Sequence, residues 1–140
     1  MGMNIDPEII QQAERDGRVR EGPRQPMALP ADMSENEFAR LVINYARSLG
    51  WRAAHFRPAR TKNGGWVTAV QGDGAGFPDL VLVRERILFR ETKTNKGELS
   101  ANQEMWRDVI IAAGSDWAVW RPAYWEKIVE ELRSMKGIVK

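Results

Sequence analysis

The chain has no cysteine among its 140 residues and only one histidine, His55. Disulfides and thiolate metal sites are therefore excluded, and any metal must be held by oxygen ligands or by that single imidazole. No apolar run approaches the ~20 residues of a membrane-spanning helix. The opening residues, Met1-Gly2-Met3-Asn4-Ile5-Asp6, carry neither the basic nor the apolar region of a secretory signal. These absences lead to the expectation of a soluble cytoplasmic protein. A large charge of one sign is missing too. Net charge is +2, so bulk electrostatics do not announce a nucleic-acid binder. The distribution says more: from Trp51 to Gly72 there is no acid, and the stretch holds Arg52, Arg57, Arg60 and Lys62. Such a stretch suits a phosphate backbone or forms a solvated arginine-rich loop.

What is present fits one globular domain. Hydrophobic residues make up 43% of the chain, enough to bury a core at this length. Residues 1–33 hold Pro7, Pro23, Pro26 and Pro30 and little periodic apolar content. They read as an irregular or partly helical extension ahead of a domain at 34–136. Ser34 to Leu49 predicts a helix, with Phe38, Leu41, Val42, Tyr45 and Leu49 at helical spacing. Ser34 and Glu37 form a capping-box pattern, and Gly50 ends the helix. Trp51 to Phe56 reads as a strand, and 58–75 as a long glycine-containing loop in which Trp66 to Val70 can form a small strand. Strands follow at Asp79 to Arg84 and Ile87 to Lys93. Ser100 to Ala113 is a helix with Met105, Trp106, Val109, Ile110 and Ala113 on its apolar side. Trp117 to Trp120 is a strand, and Pro122 opens a last helix through about Met135. The order α-β-β-β-α-β-α predicts an α/β fold, a central mixed sheet flanked by helices.

The two central strands carry the chemistry. In Glu91-Thr92-Lys93 the charged residues are two apart, so both point to one face of a strand. An acid and a lysine at the end of an otherwise apolar strand are costly to hold near a core without a partner. A hydrated divalent cation between Asp79 and Glu91 would meet that cost and create a site for cutting a phosphodiester. Parity sets a condition. If Glu85-Arg86 were a two-residue hairpin turn, Leu80 would pair with Glu91 and Asp79 would face away from it. A shared site needs an odd-length connection or a bulge between Arg84 and Leu88, or a twist at Pro78-Asp79.

The pattern Gly76-x-Pro78-Asp79-Leu80, then Glu91-x-Lys93, then Gly97-x-Leu99-Ser100-x-x-Gln103-x-x-Trp106 resembles the VRR-Nuc (virus-type replication-repair nuclease) branch of the PD-(D/E)XK nucleases, over roughly Ser34 to Trp125. The resemblance implies a restriction-endonuclease-like core and a DNA endonuclease dependent on Mg²⁺, with Mn²⁺ able to substitute. It implies metal ligation by Asp79, Glu91 and the backbone carbonyl of Thr92, at a position commonly aliphatic in the family. Lys93 would position and activate the attacking water. Gln103 would contribute by hydrogen bonding to the lysine, water or phosphate, and Glu37 by holding a second metal or orienting a water. Both also fit as plain capping residues. The substrate implied is branched or four-way junction DNA in replication, recombination or repair, cut by a homodimer in a bacterial or phage-infected cell. Arg52, Arg57, Arg60 and Lys62 would bind its phosphates, and Trp66 could stack on a splayed base. His55 and the tryptophans 106, 117, 120 and 125 read as structural. The competing reading is a catalytically silent nucleic-acid-binding module, salt-sensitive but indifferent to Mg²⁺.

Overall fold

The computed structural model describes residues 28–56, 59, 60, 62–67 and 71–135, with the backbone alone at 59, 60, 66 and 67. The proposed extension up to residue 27, and Arg57, lie outside the described residues, as do the side chains of Arg60 and Trp66.

Helix α1 (Glu35–Ser48) opens where Ser34 accepts the N–H of Glu37 at 3.1 Å. It buries Phe38, Ala39, Val42 and Ala46, one stripe at helical spacing. Gly50, at φ +89°, turns the chain into β1 (Arg52–His55). A two-stranded ribbon follows, β2 (Ala59–Arg60) and β3 (Trp66–Val67), within the stretch expected as a loop. Then come β4 (Leu80–Val83), β5 (Ile87–Thr92), α2 (Ala101–Ala112) and β6 (Asp116–Trp120). A 3-10 turn at Pro122–Tyr124 leads into α3 (Trp125–Arg133), so the last helix begins three residues later than its proline suggested.

The main sheet has the order β1-β4-β5-β6. Strands β1/β4 and β4/β5 are antiparallel, and β5/β6 are parallel across the α2 crossover. The sheet is mixed and helices flank it, an α/β architecture. Among the described residues no helix is long and apolar enough to cross a membrane.

One face of the sheet forms the core. Leu80, Leu82 and Leu88 are fully buried there against Phe38 and Val42 of α1 and Ile128 and Leu132 of α3. The opposite face carries Phe89, beside Phe77, which in turn meets Trp106 of α2 edge-on at 5.0 Å between ring centres. Helix α2 is the least covered of the three α-helices among the described residues. Of its expected apolar side, Ile110 alone is buried; Met105 and Val109 are 60% and 57% exposed and line a cleft of about 460 Å³. The helix is held by Trp106 and its N-terminus rather than by a continuous apolar stripe.

Candidate active site

The turn between β4 and β5 decides the site. Val83 pairs with Ile87, leaving Arg84, Glu85 and Arg86 as a three-residue connection. This is the odd length that parity required. Leu80 therefore pairs with Arg90, and the register continued by one step sets Asp79 across from Glu91. The turn is held by charge. Arg84 donates to the carbonyls of Leu49, Leu132 and Ser134 at 3.2, 3.1 and 2.7 Å. Arg86 donates to Glu131 and Ser134, and both guanidinium groups lie over the Trp51 ring. Glu85 pairs with both arginines, and hydrogen bonding from Arg84 holds its carboxyl below the usual carboxylate range.

At the other end of the same strands the regular alternation stops. Asp79 is 9% exposed, Glu91 3% and Thr92 not at all. The Asp79 backbone is tied to β1 through the Phe56 N–H, 2.8 Å from its carbonyl. Its side chain is tied to β5: the Thr92 N–H donates to Oδ1 at 2.9 Å and the Thr92 hydroxyl to Oδ2 at 2.6 Å. Glu91 is met from α2, where Gln103 Nε2 donates to its Oε1 at 2.9 Å. The Gln103 carbonyl oxygen accepts the Ser100 N–H, and Ser100 accepts the Gln103 N–H. One side-chain amide thus caps α2 and bonds Glu91, with that carboxylate as its partner rather than the lysine.

Glycine brings α2 this close. Gly76 has φ +84°, and a Cβ there would lie 2.4 Å from the Asn102 carbonyl carbon. Trp106 Nε1 donates to the carbonyls of Asp73 and Ala75, fastening the loop before Asp79 to the same helix. Lys93, half-buried, follows directly; its N–H is bonded to the Trp120 carbonyl at 3.0 Å. A Cβ at Gly97 would come within 3.3 Å of the Lys93 Cδ, so glycine leaves room for that stem.

The electrostatics follow from burial. Desolvation raises Asp79 to about 6, against the opposing bonds from Thr92. Desolvation, then repulsion from Asp79, raises Glu91 to about 8. Lys93 pulls both down. The α1 acid whose charge reaches the pair is Glu35, itself raised by burial and drawn down by Lys93. Glu35 and Glu37 both lie on the exposed side of α1, and the Glu37 backbone N–H is the one that Ser34 caps. The two acids stand in one helical turn, and the charge felt by Asp79 and Glu91 is that of Glu35.

Among the described residues no group of three or more histidine, cysteine or carboxylate side chains is placed to hold a metal. The fold offers two buried carboxylates, with Glu35 acting by its charge. Each Asp79 oxygen accepts one hydrogen bond and keeps a second lone pair. An all-oxygen set of two repelling buried carboxylates fits a hard divalent cation that keeps several waters. Of the expected phosphate-binding residues, Arg52 and Lys62 are exposed.

Comparison with curated proteins and with solved structures finds no match. A family model, the VRR-NUC domain, matches residues 35–123, an interval that holds Glu35, Asp79, Glu91, Thr92, Lys93 and Gln103. That match spans more than half of the 140 residues, and the chain belongs to the VRR-NUC family of nuclease-type domains, which act on DNA.

Proposed function

We propose that the protein is a divalent-metal-dependent DNA endonuclease, selective for branched or four-way junction DNA. The observation that carries the reading is the pair Asp79 and Glu91, buried side by side with pKa values raised to about 6 and about 8. Like charges are held close in a poorly solvated place, which a structural role does not require. Asp79, Glu91 and the Thr92 carbonyl would hold Mg²⁺, or Mn²⁺ in its place. The bound ion supplies Lewis-acid polarisation of the phosphate and a more acidic water.

The chain's own groups do the rest. Gln103 orients the Glu91 carboxylate through its 2.9 Å bond. Lys93 brings positive charge beside both acids, where it can hold an attacking hydroxide or neutralise charge growing on the scissile phosphate. Glu35 adds negative charge that favours cation binding. Arg52 and Lys62 would contact flanking phosphates, and a two-fold dimer would present two sites for paired cuts.

The test is cleavage of linear duplex, single strand, 5′ flap, splayed arm and four-way junction, with and without Mg²⁺ or Mn²⁺. Cutting that needs metal, prefers branched substrates and is lost in Asp79→Ala and Lys93→Ala is expected. Tight DNA binding without cutting, unchanged in both variants, would sink the reading in favour of a silent binding module.

A further inference from the structure

Thr92 meets Asp79 twice. Its N–H reaches Oδ1 at 2.9 Å and its hydroxyl reaches Oδ2 at 2.6 Å, within the range of a charge-assisted bond. A carboxylate held by two donors of one residue cannot turn about its own axis without breaking both bonds. The clamp is itself stiff. Thr92 is fully buried and β-branched, and it is paired with Trp120 of the adjacent parallel strand. Valine would fill the same volume without the hydroxyl donor, so packing alone does not call for threonine.

We propose that Thr92 is a positioning residue whose hydroxyl fixes the Asp79 carboxylate and so favours Mg²⁺ over Ca²⁺. The inference rests on the metal site proposed above. The carbonyl assigned to the ion belongs to the same residue that clamps Asp79, so two of the proposed ligands move as one unit. Mg²⁺ demands near-octahedral geometry at about 2.0–2.1 Å, whereas Ca²⁺ accepts six to eight oxygens at about 2.3–2.6 Å in looser arrangements. Freeing Asp79 therefore costs the smaller ion more.

The experiment measures Mg²⁺ and Ca²⁺ dissociation constants by calorimetry on the full chain without DNA, for wild type, Thr92→Val and Thr92→Ser. Partners that orient a metal ligand are worth about 10–100-fold in affinity. Thr92→Val should weaken Mg²⁺ by at least about tenfold and Ca²⁺ by much less. Thr92→Ser keeps the hydroxyl and should retain the wild-type preference. Unchanged Mg²⁺ binding in Thr92→Val, or equal weakening of both ions, overturns the proposal. So does a folded Thr92→Ser that loses Mg²⁺ preference, which keeps the test decisive if the valine variant fails to fold. A wild type that binds neither ion removes the metal-site reading itself, an outcome distinct from a clamp that makes no difference.

Discussion

The β4–β5 pair buries charge at both of its ends, and the two ends treat it in opposite ways. At the turn, Glu85 sits between Arg84 and Arg86, and the arginines also satisfy carbonyls at the end of α3. Opposite charges meet there, and the Glu85 carboxyl is held in its charged form. At the far end, Asp79 and Glu91 meet each other with Glu35 nearby, and among the described residues Lys93 alone opposes them. Both carboxyls are driven toward their neutral forms. The turn is electrostatically complete; among the described residues the site has more negative than positive charge. A fold tolerates such a shortfall where a ligand is meant to make it good, and pKa perturbation by burial and like charge marks a functional site for that reason.

The sharpest way to break this contrast is to neutralise one acid at each end. Glu91→Gln should lose several kcal/mol of transition-state stabilisation, on the order of a thousandfold in cleavage rate. Its melting temperature without metal should rise, because an unbalanced buried charge has gone. Glu85→Gln should do the reverse, lowering the melting temperature and leaving cleavage near wild type. Parallel melting and cleavage assays decide; a destabilised Glu91→Gln would mean that its charge is structural after all.

Gly76→Ala should come next in size. A methyl group 2.4 Å from the Asn102 backbone, at φ +84°, forces the 72–78 loop off α2. The cost should be about 1–3 kcal/mol in denaturant unfolding, as for overpacked cores. Cleavage should fall with it, since the same loop delivers Asp79. Arg84→Ala should cost about 2 kcal/mol, because the Leu49 carbonyl loses its side-chain donor while those of Leu132 and Ser134 keep only Trp51 and Arg86. If it also allows the turn to shorten by one residue, Asp79 loses Glu91 and cleavage disappears.

The last comparison is in pH, and its sign separates the ends. Asp79 and Glu91 have raised folded-state values, so the folded protein binds more protons than the unfolded chain between about pH 4 and 8. Without metal, their contribution to stability falls as pH rises through that window. Saturating Mg²⁺ should flatten the fall, because the ion competes with those protons. Glu85 is lowered, so its contribution is present above the unfolded carboxylate value and is lost on acidification below it. Thermal melts from about pH 2 to 8, with and without Mg²⁺, test both; Glu91→Gln should remove the metal-sensitive part.

Much of this organisation was legible in residue order. The apolar spacing of α1, the order of strands and helices, and the neighbourhood of Asp79, Glu91 and Lys93 follow from local pattern, because period and side-chain parity are properties of the backbone. Parity alone also required an odd turn before the acids could face one another, and the turn has three residues. The exposure of Met105 and Val109 was not legible, since amphipathic spacing says which residues could be buried and not whether a partner covers them.

The amino-acid order by itself determined which groups could do chemistry here: oxygen ligands without thiols, two acids and a lysine on adjacent strands, and a glutamine at a helix cap. Tertiary structure decided what they became. It brought the charge of Glu35 to bear on the pair, because α1 is fixed by packing Phe38 and Val42 against the sheet. It gave Gln103 two partners at once and turned Thr92 from a backbone position into the residue that holds Asp79. Such contacts join residues 12 or 13 positions apart in the chain, and only the register and layer packing of the finished fold bring them within hydrogen-bond distance.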